Sequence, residues 1–462
     1  MRTLILIFLV IFFSRCGQPM LPTGGPRDSI PPVLIKAFPQ DSALNVTPAK
    51  IQLEFNEFLQ TIQDPRPIVY SPLPKRTPEL EVKLKIVNIK IKDTLEENTT
   101  YTINFGNTIQ DINESNPLRN FTYVFSTGKI IDSGTLSGKV ILAETGKADS
   151  NITVILQRDF SDSAVAKTSP RYITRLNRDG FFKFKYLKPG KYNVFAILDA
   201  DGKYTYDQPS EIFGFLDSTI DVASNKEPLK IYAFLAEQEK PKKPVKPTVA
   251  PPANKDDKRF KYQTNLEGRS LDILGDLILK FDKKPTSFDT SKISLRNDLG
   301  ERLSNYKLVA DSNLFKFSYA WAPGEKYRLY IEKNFAKDSL GNYVVKNDTI
   351  KIEAKKEIEY GSLMVRTQDL DTSYRPVLLF FKDDQLAKSI PLDAARISLK
   401  RILPAEFELR ILFDKNKNGK WDTGDYWKKI QPELVKPRKE KLTIKANWDN
   451  EVTINFVDVV KQ

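Results

Sequence analysis

The chain has 462 residues, a formal net charge of +13, one cysteine and no histidine. Without histidine there is no Ser-His-Asp triad, no imidazole base and none of the commonest ligand of catalytic zinc; with one cysteine there is no internal disulfide, so each module must be stable through its own apolar core. The Lys and Arg excess is dispersed among 59 carboxylates with no arginine-rich helix, which argues against a nucleic-acid partner and describes a solvated basic surface.

In chain order, residues 1–15 read as a signal peptide: Arg2, ten consecutive apolar residues from Leu4 to Phe13, then Ser14 and Arg15. A membrane-spanning helix needs about 20 apolar residues, so this run predicts a removed leader and not a retained span. Cleavage before Cys16 would leave the sole thiol at a new N-terminus, where bacterial lipoproteins are acylated. Phe13-Ser14-Arg15-Cys16 resembles a lipobox. A covalent lipid on Cys16, and through it a membrane, is the expectation. Residues 16–30 follow as a tether, rich in Pro and Gly and unable to propagate a strand or helix.

Residues 31–130 and 131–236 read as two β modules. "KIQLEF" (50–55), "YTINF" (101–105), "NITVILQ" (151–157), "GFFKFKYL" (180–187) and "KYNVFAIL" (191–198) are rich in β-branched and aromatic residues, and most alternate apolar with polar at period two. Turns such as "NRDG" and "KPG" separate them. No segment carries a convincing three-turn amphipathic helix. Residues 237–262 interleave Pro with Lys, as in "KPKKPVKPTVAPP", and predict an extended linker.

After the linker the chain repeats itself. Phe55 and Tyr101 align with Phe281 and Tyr327, each 226 positions on; Asp111 aligns with Asp338, and "GTLSGKV" (134–140) with "GSLMVRT" (361–367), at 227. Pro189, Tyr192 and Asp199 align with Pro404, Phe407 and Asp414 at 215. Residues 263–356 are thus a second, divergent copy of the first module and 357–462 a second copy of the next. The expected fold is all-β, a tandem of β-sandwich modules in the order A-B, linker, A-B, each of typical sandwich size.

"GPRDSIPPVLIKAF" with "IQLEFNEFL", the Tyr-bearing strand and the closing "FTYVFSTG" resembles the bacterial Ig-like domain of the S-layer-protein type. "SGKV" with "NRDGFFKFKYLKPGKYNVFAILD" resembles a transthyretin-like, carboxypeptidase-regulatory module, and the Cys16 opening is similar to that of Ig-like lipoproteins of Bacteroidota. The resemblance implies Ig-like and transthyretin-like sandwiches alternating in a lipid-anchored outer-membrane protein, with the side of the membrane left open. It implies a scaffold or interaction protein and no enzyme, in the setting of an accessory subunit of an outer-membrane complex with other envelope proteins as partners. The alternative is an adhesion protein that binds glycans, with Trp421 and Trp427 as candidate contacts.

One stretch carries ligand-type chemistry. "DKNKNGKWDTGD" (414–425) places Asp414, Asn416, Asn418, the Lys420 carbonyl, Asp422 and Asp425 at the oxygen-ligand positions of a twelve-residue calcium loop, with Gly419 at its turn. An Asn-Gly turn with Trp421 as a packing anchor accounts for the same residues without a metal. No cofactor is required by anything else in the chain; calcium at this loop would be structural. Two acid pairs, Glu54 with Glu57 and Asp111 with Glu114, are expected to be solvated carboxylates at sheet edges and not a glycosidase pair.

Overall fold

The computed structural model describes residues 28–61, 68–199, 201–236 and 260–456. Cys16, the leader, most of the tether and residues 237–259 of the linker lie outside them. Among the described residues no helix is long and apolar enough to cross a membrane. The chain divides into two compact units, the first taking the described residues up to Ile141 and Ala148–Ala233, the second Leu142–Lys147 and the residues from Phe234 on.

The first unit opens with nine strands: β1 (Leu34–Phe38), β2 (Lys50–Phe55), β3 (Leu59–Thr61), β4 (Val69–Ser71), β5 (Glu79–Lys83), β6 (Ile86–Lys90), β7 (Thr100–Asn104), β8 (Ile109–Asp111) and β9 (Thr122–Ser126). They form a sheet in the order β1-β2-β6-β5, a second in the order β4-β7-β9, and a β3-β8 pair. The predicted period of two is visible in β2, where Ile51, Leu53 and Phe55 are buried and the residues between them exposed. These three pack with Val87 and Ile89 from the same sheet and Ile103, Tyr123 and Phe125 from the other, so one apolar layer joins the sheets.

Eight strands follow: β10 (Gly134–Leu142), β11 (Thr153–Gln157), β12 (Tyr172–Arg175), β13 (Phe181–Leu187), β14 (Lys191–Ile197), β15 (Ile212–Phe215), β16 (Ile220–Asp221) and β17 (Leu229–Leu235), with a one-turn helix α1 (Ala164–Lys167) between β11 and β12. Hydrogen bonding runs along β12-β11-β14-β15-β17-β10-β13, with β16 on β14. The Thr174 hydroxyl donates to the Lys183 carbonyl at 3.3 Å, so the two ends of this path meet.

The second unit repeats both strand orders. Tyr262–Thr264, Leu277–Phe281, Leu314–Ser318 and Lys307–Asp311 form a sheet with the connectivity of β1-β2-β6-β5, and Pro285–Phe288 pairs with Ala336–Asp338 as β3 does with β8. Ile293–Asn297, Lys326–Ile331 and Asp348–Ala354 take the places of β4, β7 and β9, with two short edge strands added. Farther on, Arg396–Ile402, Gly361–Gln368 and Asp449–Asn455 are ordered like β13-β10-β17. Gln385–Pro391, Pro376–Lys382, Ala405–Phe413 and Leu434–Pro437 are ordered like β12-β11-β14-β15. The copies differ in one pairing: β15 with β17 joins the two sheets into one path in the first copy, whereas the second copy keeps them separate.

Two details refine the sequence reading. Phe260 and Tyr262, placed by composition in the linker, belong to the second unit: Phe260 is buried and stacks on Phe281 at 4.9 Å, and Tyr262 begins a strand. The aligned glycines Gly134 and Gly361 each sit where the register of the following strand pair shifts. A Cβ there would lie 2.4 Å from the Leu187 carbonyl oxygen and 2.5 Å from that of Lys445, a close approach only glycine permits.

Candidate interaction sites

Within the first unit, the loop after β4, the stretch from Ile91 to Glu96 and the β11–β12 connection enclose a cleft of about 720 Å3. Tyr70, Leu73, Leu95, Ile103 and Pro170 give it an apolar lining, and the polar side chains stand in pairs. Arg171 meets Glu96 with both terminal nitrogens, one of them at 2.6 Å, the bidentate geometry that a guanidinium and a carboxylate favour. The Arg171 guanidinium holds the Glu96 carboxyl below its ordinary range. Next to this pair the Leu73 N–H donates to the Arg171 carbonyl at 2.9 Å, so an ion pair and a backbone bond fasten the first module to the module that follows.

Arg76 closes one flank of the cleft on Asp93 at 3.1 Å. Burial pushes the Asp93 carboxyl up, but the N–H donors of Arg76 outweigh it and the net shift is downward. Tyr70 is pushed up to about 12 by burial, so its phenol stays neutral and donor-competent across the physiological range.

On the other wall the buried Gln157 amide donates to the Ala164 carbonyl (3.0 Å) and to the Thr168 carbonyl and hydroxyl (2.7 and 2.8 Å), fixing α1 and the connection behind it. Among the described residues Gln157 Oε1 and Arg171 Nε have no hydrogen-bond partner. The β11–β12 ladder ends at Leu156↔Tyr172, and just beyond it the Arg171 N–H donates to the Leu156 carbonyl at 2.8 Å. An unpaired acceptor and an unpaired donor, both on residues that line the cleft, are costly to leave buried. Such a site suits recognition by hydroxyl or amide groups.

Glu96 and Arg171 are 75 positions apart, and no motif marks either one. Tyr101, whose hydroxyl accepts from the Glu96 N–H at 2.7 Å, belongs with Ile103 and Gln157 to strands the sequence singled out, but as strand residues and not as a site.

Asp111 corrects an expectation. It is not a solvated edge acid but 1% exposed, and its carboxylate accepts from the backbone N–H groups of Glu114, Ser115 and Asn116 at 2.6, 2.9 and 2.8 Å. Its aligned partner Asp338 is equally buried and accepts from the N–H groups of Leu340 and Asn342 and the Asn342 side chain. The two acids are repeated turn locks. Glu54 is exposed, as expected, and Glu57 half-buried.

In the loop starting at Asp414, that residue is buried and accepts from the N–H groups of Lys417, Asn418 and Gly419 at 2.7, 3.3 and 2.7 Å. Asn416 and Asn418 both donate to one oxygen of Asp422, at 2.8 and 2.7 Å. Lys420 N–H donates to Asn418. Asp425 sits in a separate turn, paired with Lys428 at 2.8 Å, and that amine holds its carboxyl below the usual range. A residue the motif left out closes the loop: the buried Glu433 accepts from the Lys415 and Asp422 N–H groups at 2.7 and 3.2 Å. Among the described residues no three His, Cys, Asp or Glu side chains gather where they could hold a metal ion. Trp421 is half-buried and donates to the Glu433 carbonyl at 2.7 Å, which suits it to the packing role, whereas Trp427 is exposed.

Comparison with known proteins places the first module in a class. Residues 28–127 match the bacterial Ig-like domain family. Among solved structures, the chain is similar to BcpA, the major pilin subunit of Bacillus cereus: 10% identity over 70% of this chain and 99% of that one, with a TM-score of 0.17. It is also similar to the Bacillus anthracis TIE protein, with 12% identity over 94% of this chain and 76% of that one and a TM-score of 0.17. A third is the S-layer protein rSbsC(31-844), with 12% identity over 92% and 54% and a TM-score of 0.16. At these scores none of the three superposes as a whole. Comparison with curated proteins gives no match.

Proposed function

We propose that this protein is a non-catalytic scaffold of the bacterial cell envelope, held at the outer membrane by a lipid on Cys16. Its Ig-like and transthyretin-like modules present surfaces to other envelope proteins, as an accessory subunit of an outer-membrane complex. The observation that carries this reading is the twofold use of one pair of strand orders, each with its own core and with the same buried turn aspartate. A chain built by repeating self-sufficient sandwiches extends and displays. The cleft of the first unit, with its unpaired acceptor and donor, is the surface offered for a partner. No cofactor is required.

The test is crosslinking in native membranes followed by pull-down, with the Cys16→Ser chain as control. The reading expects envelope proteins to be captured by the parent, and the variant to be washed out of the membrane fraction because it lacks the acyl chains that retain it. A variant that stays fully particulate removes the anchor, and a parent that captures nothing removes the scaffold. A second reading, glycan adhesion, is favoured by the exposed rings of Trp427 and Trp448. A glycan array distinguishes it.

A further inference from the structure

The described chain begins at Asp28, at one end of the first Ig-like module, and five apolar side chains near that end face solvent. Ile30, Val33, Phe58, Leu84 and Ile112 are 61%, 54%, 49%, 67% and 52% exposed. Backbone bonds hold them together: Asn56 N–H to the Val33 carbonyl, Leu59 N–H to that of Leu84, and Ile112 N–H to that of Phe58, at 3.1, 2.9 and 3.0 Å. The Asn116 side chain reaches the Asp28 and Ile30 carbonyls at 3.2 and 3.4 Å. Lys85 donates to the Asn56 carbonyl and stands 5.2 Å over the Phe58 ring.

Leu84 is the informative member. It occupies the two-residue turn between β5 and β6 with φ +55°, a left-handed conformation that favours Gly, Asn or Asp. A leucine there strains the turn and leaves two-thirds of its surface in solvent, so packing within the module accounts for little of it. Strain held at an exposed apolar tip points to a contact outside the fold.

We propose that these loop tips dip into the interfacial zone of the lipid leaflet that carries the Cys16 anchor, an inference that rests on the anchor reading above. The length of intervening chain argues for this occupant. Residues 17–27 separate Cys16 from Asp28, and even fully extended they span no more than about 40 Å. Asn116 holds Asp28 and Ile30 beside the apolar tips, so the face that carries them adjoins the point from which the chain runs toward Cys16. Apolar tips bury in the acyl boundary while Lys85, beside Phe58, keeps its amine at headgroup level. The contact orients the first module on the bilayer, and the acyl chains supply retention.

The full chain carrying Cys16→Ser has no thiol, so adding Leu84→Cys gives a unique site for an environment-sensitive fluorophore. Vesicles of phosphatidylethanolamine and phosphatidylglycerol should blue-shift it, and adding Phe58→Ser with Ile112→Ser should weaken partition by about tenfold or more. In the Cys16→Ser chain without the label, Leu84→Asn should raise thermal stability by relieving the left-handed strain and yet reduce flotation with the same vesicles. A label unmoved at saturating lipid, or a stabilised Leu84→Asn chain that floats as well as its parent, overturns the proposal. A shift seen only with detergent-extracted membrane proteins overturns it too and assigns the face to a protein. The intact mass of native protein tests the anchor separately: if no acyl group is found on Cys16 the anchor reading fails, while the label still reports on the loops.

Discussion

Replacing Asp111 with alanine removes the acceptor for three backbone N–H groups at once, those of Glu114, Ser115 and Asn116 at 2.6, 2.9 and 2.8 Å. A hydrogen bond to a charged group contributes about 1.5–3 kcal/mol, but the turn these donors belong to is partly open and water recovers a share, so the expected loss is about 3 kcal/mol. Trp321, Trp421, Trp427 and Trp448 all lie in the second unit, so tryptophan emission does not report on this site. Amide hydrogen exchange over β7 to β9 does, and protection there should fall by about a hundredfold. The pH dependence has a fixed sign. Burial pushes the Asp111 carboxyl up, the three N–H donors pull it further down, and the net shift is below the ordinary value. The unfolded chain, with the carboxyl near about 3.9, therefore binds the proton first as pH falls. The stabilisation is complete above about pH 4 and is lost as pH drops through the folded value. Asp111→Ala should remove that part of the acid limb. A variant whose protection matches the parent at neutral pH, or whose acid limb is unchanged, would refute the account of Asp111 as a turn lock.

The Glu96–Arg171 pair should show a coupling of about 1 kcal/mol in a double-mutant cycle of Glu96→Gln and Arg171→Gln, because its geometry is bidentate but Glu96 is largely exposed. Additive losses in thermal unfolding would mean that the pair does not help join the modules. The loop from Asp414 is closed by Glu433 and by its own N–H groups. Chelator should therefore leave the melting temperature unchanged, and calorimetry should register no heat with millimolar calcium; a rise of several degrees on adding calcium would restore the metal loop.

The β character of this chain is local and therefore legible. Alternation in "KIQLEF" states which side of a strand faces the core, and the turn residues state where it stops. The repeat was legible for the same reason: Phe55 and Phe281, or Gly134 and Gly361, hold equivalent places because each position makes the same local demand on its residue. The twelve-residue spacing from Asp414 was also visible, yet spacing alone does not bring oxygens together. Asp425 went to a separate turn, and Glu433, outside the motif, arrived instead.

What only the tertiary structure decided lies between segments far apart in the chain. Glu96 and Arg171 become partners only because two modules dock, and Gln157 Oε1 is left unpaired only because its amide is drawn to the connection behind it. The exposed tips at Phe58, Leu84 and Ile112 look in sequence like any apolar residue next to a strand. They become one surface because three separate loops end at the same edge of the sandwich, and the number of residues between them along the chain carries no record of that distance.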